Sequence, residues 1–164
     1  MNNTSLPEIM DIKSAYYKSP IGILEIRGTE EKIISVLFFD SNPTQNDQVY
    51  PLLENCAQQL DEYFHHKRHK FDVPLMPQGT SFQRQVWKKL LEIPYGTTSS
   101  YLEIARRMGN PKAVRAVGGA NSKNPITIII PCHRIIAANG KLIGYGGGLW
   151  RKEWLLRHEQ NILA

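Results

Sequence analysis

Residues 110–136, NPKAVRAVGGANSKNPITIIIPCHRII, contain the features that decide the fold of the second half of this chain. Asn110 followed by Pro111 predicts an N-cap and a proline at the first helical position, so we expect a helix over 111–122. The apolar residues 126–130 have the length of a buried strand. That strand would deliver the segment 131–134, Pro-Cys-His-Arg, to a rigidly held place.

A second predicted helix, over 101–108, comes directly before this segment, and the tight turn Gly109-Asn110 separates the two. Two short helices joined in this way predict a helix-turn-helix. Lys112 and Arg115 are the only charged residues of the second helix, which is otherwise rich in Ala and Gly. Small residues permit close approach either to a DNA groove or to another helix of the protein, and Arg115 favours DNA.

The first half of the chain has the pattern of short strands followed by a helix. Segments 14–18, 21–27 and 32–39 are rich in branched and aromatic residues, and polar breaks separate them. Residues 40–47 predict a loop, and apolar residues at helical spacing predict a helix over 48–66. The fold class is therefore α+β, with a small mixed sheet and a helix followed by a mostly helical part containing the helix-turn-helix.

The domain boundary is predicted near residue 78, because 72–79 contains two prolines and resembles a linker. We expect a structural domain over 1–78 and a functional domain over 79–164. In the second domain, Thr80 and Gln83 fit a capping box that opens a helix ending before residues 94–96. The pair Asn139-Gly140 predicts a hairpin turn, and a last helix is expected from Leu149 to about residue 161.

Charge is distributed unevenly along the 164 residues, whose formal net charge is +5. Residues 1–80 hold 7 Lys/Arg and 11 Asp/Glu, whereas residues 81–164 hold 13 Lys/Arg and 4 Asp/Glu. A basic half suggests a polyanionic partner for that half alone. No apolar run approaches the roughly 20 residues of a membrane helix, and residues 1–10 lack the pattern of a secretory signal. We expect a soluble cytoplasmic protein that is nucleoid-associated when bound to DNA.

Two cysteines, Cys56 and Cys132, are too few for a disulfide framework or a cysteine zinc cluster. Cys56 falls within the predicted helix 48–66 and is expected in the core. The basic run 65–70, HHKRHK, could bind a metal through its three histidines. Without acidic or cysteine partners it is better explained as a solvated helix end. We predict neither a metal nor a cofactor.

Cys132 is the candidate nucleophile. A thiol has a pKa of about 8.5, so it needs a base or a positive field to react at neutral pH. His133 is adjacent, but neighbouring side chains of an extended strand point to opposite faces. Contact between the two would need a bridging water or a bend in the chain. Chance adjacency of a Cys-His pair is the alternative.

Five segments together resemble the signatures of the O6-alkylguanine-DNA alkyltransferases. These are Ile130-Pro-Cys-His-Arg-Ile-Ile136, Arg115-Ala-Val-Gly-Gly-Ala120, Asn124-Pro125, Tyr101, and Gly147-Gly-Leu149 leading into Lys152-Glu-Trp-Leu-Leu156. The ordered match covers about residues 81–160. The N-terminal half is similar only in its pattern of strands and a helix, for which the resemblance implies a ribonuclease H-like domain.

The resemblance implies direct reversal of DNA alkylation damage. An alkyl group, typically methyl, would pass irreversibly from O6 of guanine in duplex DNA to Cys132, after the damaged base has flipped out of the helix. It leaves open whether alkyl groups on O4 of thymine are also accepted. The thioether product could not be hydrolysed, so each chain would act once. The expected partner is duplex DNA bearing O6-alkylguanine, with no membrane, and we expect a monomer.

The resemblance also implies a role for each residue of the reaction centre. Cys132 would be the nucleophile, and His133 would accept its proton through a water molecule. Glu159 would orient His133, Tyr101 would donate a hydrogen bond or proton to the base, and Asn124 would be the hinge between the recognition helix and the active site. The alternatives without a chemical role are that Tyr101 only packs at the start of its helix and that Glu159 is a surface residue of the last helix.

Further residues would contact DNA or the alkyl group. Arg115 would fill the space of the flipped base while its helix lies in the minor groove. The remaining DNA contacts implied are Lys112, Ala116, Gly118, Gly119, Ala120, Asn121 and Ser122. The alkyl pocket implied is lined by Thr127, Pro131, Tyr145, Gly146, Gly147 and Gly148. Arg134 is expected to make a structural ion pair, and Trp87 and Trp154 are expected in the core.

Departures from the family pattern and two rival functions remain. Some relatives carry Pro at Thr127 and Ser at Gly146, so tolerance of bulky adducts is in doubt, and the zinc-binding regulatory module of some relatives is not expected here. A helix-turn-helix regulator would need polar base-reading residues, which the Ala- and Gly-rich helix lacks. A cysteine hydrolase would need an oxyanion hole, for which no motif argues.

Overall fold

A computed structural model of the chain describes residues 11–44 and 48–160. The expectations for residues 1–10, for the end of the loop at 45–47 and for the helix end at 161 lie outside these described residues. The chain divides into two compact units, Met1–Met76 and Pro77–Ala164. Among the described residues, no helix is long and apolar enough to cross a membrane.

The first unit contains an antiparallel meander of β1 (Lys13–Ser19), β2 (Gly22–Gly28) and β3 (Ile33–Phe38), which confirms the three predicted strands to within two residues. Ile26 of β2 lies opposite Ala15 of β1 and Val36 of β3, and all three are buried on one face. The alternation of buried and exposed residues along β2 follows from the two-residue period of a strand.

Helix α1 (Pro51–Phe64) packs against β1 and β2 through Leu53, Cys56 and Leu60, which are fully buried. Cys56 is therefore a core residue, as predicted. The helix begins three residues later than predicted, because Pro51 occupies its first turn, where its missing N–H costs nothing. The predicted linker is partly structured: β3 and residues 74–76 exchange backbone hydrogen bonds, with a parallel bridge from Ile33 to Leu75.

The second unit opens with α2 (Ser81–Leu90), and the predicted capping box is present. The Thr80 hydroxyl accepts from the Gln83 N–H at 3.1 Å, and the Gln83 side chain accepts from the Thr80 N–H at 2.9 Å. Trp87 is buried as predicted and donates from Nε1 to the Ala120 carbonyl at 2.8 Å. This bond fixes α2 to the helix that contains Ala120.

The helix-turn-helix consists of α3 (Tyr101–Arg107) and α4 (Val114–Ser122), which pack against each other. The Ser100 hydroxyl caps α3 by accepting from the Glu103 N–H at 3.0 Å. The predicted start of the second helix was wrong. The N-cap position is Ala113, and the Asn110 carbonyl accepts from the Ala113 N–H at 3.0 Å, so residues 110–113 form a turn before the helix begins.

The predicted strand over 126–130 was also wrong, although all five residues are buried. Tight turns replace it: the Ile130 N–H donates to Ile126 at 3.0 Å, and the Ile129 N–H donates to Thr127 at 2.8 Å. Ile128 has a φ of 72°, which is left-handed and incompatible with a strand. An unbroken apolar run shows that a segment is buried, but it carries no periodicity that would reveal the backbone conformation.

After these turns comes a 3-10 turn, Cys132–Arg134, and then β5 (Ile135–Ile136), which pairs in parallel with β4 (Ser99–Ser100). The Asn139-Gly140 turn is present, with the Gly140 N–H donating to the Ala137 carbonyl at 2.8 Å. It does not connect paired strands, so the predicted hairpin was wrong.

The last helix of the unit is α5 (Leu149–Glu159), which confirms the predicted start. Its N-cap, Gly148, has a φ of 96°, a conformation that favours glycine. Lys152, Leu155 and Glu159 point inward. Trp154 is only partly buried and stacks on His158 with 4.9 Å between ring centroids, so its predicted place in the core was wrong.

Candidate active site

Cys132 lies at the start of the 3-10 turn and is only 6% exposed. Asn124, which follows α4, forms hydrogen bonds with the segment that precedes Cys132. Its Nδ2 donates to the Ile130 carbonyl at 2.8 Å and to Sγ of Cys132 at 3.1 Å, while its Oδ1 accepts from the Ile126 N–H at 2.9 Å. One buried amide therefore ties the recognition helix, the tight turns and the thiol together, which is the position expected of the hinge.

His133 and Arg134, which follow Cys132, form a buried cluster with Glu159 that joins the 3-10 turn to α5. Nε2 of His133 lies 2.6 Å from Oε2 of Glu159. Arg134 donates to the same carboxylate twice, from Nε at 2.8 Å and from Nη2 at 2.9 Å. The structure thus places Glu159 in the interior, and Arg134 makes the expected structural ion pair.

The electrostatics of the cluster favour a charged Glu159 and a neutral His133. Burial alone would raise the pKa of Glu159, but its hydrogen bonds with His133 and Arg134 and the charge of Arg134 hold it well below its usual value. Burial lowers the pKa of His133, and the charge of Arg134 lowers it further, against the opposing effect of Glu159. The close contact is therefore a hydrogen bond from a neutral imidazole to a carboxylate.

The tautomer of His133 follows from this contact. Because Nε2 donates to Glu159, the proton is assigned to Nε2, and Nδ1 carries a lone pair. Nδ1 is buried and has no hydrogen-bond partner among the described residues. A buried nitrogen of this kind is a proton acceptor, and it belongs to the residue next to Cys132.

Three groups favour the thiolate of Cys132 by lowering its pKa, in opposition to the effect of burial. The pKa of the Cys132 thiol is raised overall by burial, and hydrogen bonds from Asn124 and Thr127 and the charge of Lys152 partly offset that rise. Lys152 is fully buried, and its Nζ donates to the Ile143 carbonyl at 2.8 Å. Burial lowers the pKa of Lys152 to about 8, and the nearby Cys132 opposes that shift.

Lys152 was not predicted as a residue of the site. A signal was present, because Lys152 lies on the same helical face as Leu155 and Glu159, at spacings of three and seven residues. A lysine on an inward face is rarely buried without a partner.

Each of the two tyrosines predicted for the site, Tyr101 and Tyr145, forms a hydrogen bond. Oη of Tyr101 donates to the Ile143 carbonyl at 3.1 Å, so this carbonyl accepts from both Tyr101 and Lys152. Tyr145 and Thr127 share a hydrogen bond of 2.8 Å between their hydroxyl groups. Gly144 has a φ of 64°, and a Cβ there would lie 3.2 Å from Oη of Tyr101. Glycine therefore keeps the space next to Tyr101 open.

The other predicted pocket residues differ in exposure. Pro131 and Thr127 are buried, Gly147 is partly buried, and Gly146 is exposed. The Gly147 carbonyl accepts from Nη1 of Arg151 at 3.0 Å. A Cβ on Gly146 would make only an ordinary contact, 3.9 Å from the Ser122 carbonyl.

The recognition helix α4 presents part of the predicted DNA-contacting set to solvent. The exposed members are Lys112 in the preceding turn and Arg115, Ala116, Gly119 and Ser122 in the helix. Gly118 is partly buried, with the Tyr101 ring 3.8 Å from where its Cβ would be. A Cβ on Gly119 would meet no atom within 4 Å. Packing inside the protein therefore does not account for the glycine at 119.

Ala120 and Asn121 face inward, which was not expected of DNA-contacting residues. Ala120 is 3% exposed and Asn121 is 2% exposed. Asn121 Nδ2 lies 3.5 Å from the Cys132 carbonyl, at the limit of a hydrogen bond. Helical geometry explains the difference, because positions 117, 120 and 121 share one face of α4, and Val117 on that face is buried.

Comparisons with known proteins decide the family. The profile described as "6-O-methylguanine DNA methyltransferase, ribonuclease-like domain" matches residues 12–77, and that described as "6-O-methylguanine DNA methyltransferase, DNA binding domain" matches residues 81–161. A methylated-DNA–protein-cysteine methyltransferase of Methanosarcina mazei is 50% identical over 151 residues, which cover 89% of this chain and 96% of the relative. This chain belongs to the methylated-DNA–protein-cysteine methyltransferase family.

Solved structures of the methyltransferase family agree with the fold. The crystal structure of Mycobacterium tuberculosis O6-methylguanine methyltransferase has a TM-score of 0.83 and 41% identity, covering 94% of this chain and 96% of that one. The structure of the Mycobacterium tuberculosis protein in complex with DNA has a TM-score of 0.81 and 44% identity, covering 92% and 93%. The predicted family, the α+β class and the ribonuclease-like first domain are confirmed.

Among residues 11–44 and 48–160, no three His, Cys, Asp or Glu side chains are arranged to hold a metal ion. His65 of the basic run instead places its Nδ1 2.8 Å from the Asp61 carbonyl.

Proposed function

We propose that this methyltransferase repairs DNA directly, by moving a methyl group from O6 of guanine in a duplex to Sγ of Cys132. Membership of the family supports the reaction. The identity of the nucleophile rests on one observation, the surroundings of Cys132. Cys132 is the thiol that Asn124 holds at 3.1 Å, next to a neutral, Glu159-bonded His133 with an open Nδ1. Burial raises the pKa of both thiols, but Asn124, Thr127 and Lys152 oppose that rise at Cys132, whereas the pKa of Cys56 is raised to about 12 with burial as its cause.

The transfer step needs no cofactor, because its bonds, electrons and protons balance between Cys132, His133 and the purine. The thiolate of Cys132 attacks the methyl carbon, so that an S–C bond forms while the C–O6 bond breaks and its electron pair returns to the purine. The thiol proton passes first to Nδ1 of His133, through a bridging water, and the restored guanine needs one proton in return. The thioether has no leaving group that this site could activate, so one chain repairs one lesion.

A neutral His133 is suited to this role because it can accept a proton only if it does not already carry one. Glu159 stabilises the imidazolium that forms, and Arg134 keeps Glu159 ionised. The charge of Lys152 favours the thiolate before attack. Tyr101, whose Oη bonds to the Ile143 carbonyl, would turn this hydroxyl to the purine and assist the departure of O6.

Binding of the damaged base and alkyl transfer are assigned to residues 79–164, and residues 1–78 form a structural domain that takes no part in the transfer step. Arg115 would occupy the space left by the flipped nucleotide, and Lys112 would contact phosphate. The exposed small residues Ala116 and Gly119 would allow α4 to approach the floor of the minor groove. The Mycobacterium tuberculosis relative was crystallised in complex with DNA. The protein would act on this DNA in the cytoplasm, as a monomer.

Peptide mass spectrometry after mixing the protein with a duplex carrying one O6-methylguanine tests the proposal. We expect one added methyl group on the peptide that holds Cys132, none on the peptide that holds Cys56, and none in Cys132→Ser. A lesion duplex that binds but leaves both peptides unmodified would contradict the proposed transfer.

A further inference from the structure

The run 65–70, HHKRHK, is the longest uninterrupted series of Lys, Arg and His residues in the chain, and we call it the basic turn. It holds three of the seven Lys/Arg residues found in residues 1–80. The rest of that half has four Lys/Arg residues against 11 Asp/Glu. The basic turn is therefore a local concentration of positive charge in an otherwise acidic half.

The backbone of the basic turn is fixed by a Schellman motif at the end of α1. The Lys67 N–H donates to the Glu62 carbonyl at 2.7 Å, and the His66 N–H donates to the Tyr63 carbonyl at 3.2 Å. His66 has a φ of 59°, at the position where such motifs usually carry glycine. A bulky imidazole at a left-handed position is uncommon, and such positions are often found where a segment serves binding.

Arg68 holds the rest of the turn. Its Nε donates to Oε1 of Glu62 at 2.7 Å, and its Nη1 donates to the Lys70 carbonyl at 2.7 Å. The Arg68 charge is thus used within the first unit. Lys67 and Lys70 are both exposed, and neither forms an ion pair with any residue that the structure describes. Two ammonium groups are therefore presented to solvent on an ordered backbone.

The dipole of α1 does not explain this arrangement. The helix dipole stabilises a cation near the C-terminus, and this stabilisation falls off beyond the last turn of the helix. The last turn of α1 contains no basic residue, and Lys67 and Lys70 follow its end at Phe64 by three and six residues.

We propose that the basic turn is a second DNA contact, in which Lys67 and Lys70 bind backbone phosphates irrespective of sequence. The partner is duplex DNA because the proposed function, on which this inference rests, already brings the protein to it. Each phosphate that a lysine neutralises releases counterions, so the contact strengthens binding and makes it more sensitive to salt. Residues of the first unit would then contribute to affinity for DNA but not to alkyl transfer.

The salt dependence of DNA binding by the full chain tests this contact. The probe is an unmodified duplex long enough to extend on both sides of one bound protein. Lys67→Ala with Lys70→Ala is compared with the wild type, and Lys18→Ala with Arg27→Ala is the matched control. The control removes the same charge from exposed residues on β1 and β2 of the same unit. A third variant, Lys67→Arg with Lys70→Arg, keeps the charge.

Loss of two phosphate contacts should reduce the slope of log affinity against log salt by about 1.8. Over a fourfold rise in salt, wild-type affinity should therefore fall about 12-fold further than that of the double-alanine variant. The control and the arginine variant should keep the wild-type slope. A double-alanine slope equal to that of the wild type, or a control that loses as much, would overturn the proposal.

Methyl transfer to a short lesion duplex, measured on the same samples, separates this inference from the proposed function. All variants should reach the wild-type extent of transfer at saturating duplex, because the basic turn lies outside the site of Cys132. If the wild type transfers no methyl group, the proposed reaction fails while the comparison of slopes still decides the role of the basic turn.

Discussion

His133 and Glu159 are joined by a hydrogen bond of 2.6 Å between Nε2 and Oε2, inside a site where both side chains are almost fully buried. Arg134 donates to the same carboxylate and keeps it ionised. Burial keeps the imidazole neutral. This relationship leaves Nδ1 of His133, the residue that follows Cys132, free to accept a proton, and the predictions for the reaction centre depend on it.

Replacing Glu159 with Gln should destabilise the protein strongly. The variant keeps the shape of the side chain but leaves the guanidinium of Arg134 buried without its counter-charge, which typically costs about 3 kcal/mol or more. Urea denaturation measures the free energy of unfolding. Glu153→Gln is the control, because Glu153 pairs with Arg157 on the exposed side of the same helix. It should lose less than about 1 kcal/mol. Equal losses in the two variants would show that the buried pair is unimportant.

Stability should fall as the pH decreases below about 6.5, the ordinary pKa of histidine. The pKa of His133 is lowered by burial, so between its unfolded and folded values the unfolded chain binds a proton that the folded protein does not. The slope contributed by this one group is at most about 1.4 kcal/mol per pH unit.

The depressed pKa of Glu159 adds a second loss of stability at lower pH, below about 4.3. The free energy of unfolding from urea curves between pH 7 and 5 isolates the His133 contribution. His133→Asn should flatten this segment, whereas His65→Asn, at an exposed histidine, should not. A wild-type curve that is flat over this range would mean that His133 is protonated in the folded protein.

Lys152→Met should raise the pKa of Cys132 and slow methyl transfer at neutral pH. The charge of Lys152 favours the thiolate of Cys132, and each unit of pKa change alters the thiolate fraction about tenfold. The pH profile of Cys132 alkylation by iodoacetamide reports this pKa. Lys88→Met, at an exposed position of α2, is the control. An unchanged profile in Lys152→Met would mean that Lys152 does not affect the pKa of Cys132 and only forms its hydrogen bond to the Ile143 carbonyl.

Gly119→Ala should separate stability from DNA binding. Alanine is favoured over glycine inside a helix by about 1 kcal/mol, and a Cβ here would meet no atom within 4 Å, so the melting temperature should rise. If α4 lies close against the groove, the same methyl group should weaken binding to DNA. Ala116→Gly is the converse control, which should lower stability without obstructing the groove. A stabilised Gly119→Ala variant with wild-type affinity would contradict close contact at this position.

Local signals in the sequence determined much of the fold. The capping box at Thr80, the alternation along β2 and the apolar face of α1 each predicted an element that the structure contains. The long motifs around Cys132 and Arg115 predicted the family. These features depend on near neighbours in the sequence, so a single chain reveals them.

The features that could not be predicted depend on contacts between distant residues. The run 126–130 folds into tight turns because the side-chain amide of Asn124 forms hydrogen bonds with the Ile126 N–H and the Ile130 carbonyl. These bonds cannot be predicted from a run of apolar residues. Asn121 faces inward because it shares the buried face of α4 with Val117 and Ala120, and which face packs against the rest of the unit depends on distant residues. Lys152 was missed because charged residues are normally exposed, although its position on the inward face of α5 indicated otherwise.

The stoichiometry of methyl transfer tests the central claim most directly. Wild-type protein is titrated with an excess of duplex bearing O6-methylguanine, and protein-bound methyl groups and restored guanine are counted together. We predict that both stop at one per chain, that the methyl group is on Cys132, and that Cys132→Ser gives neither. Restored guanine beyond one per chain, or a methyl group on Cys56, would contradict the account.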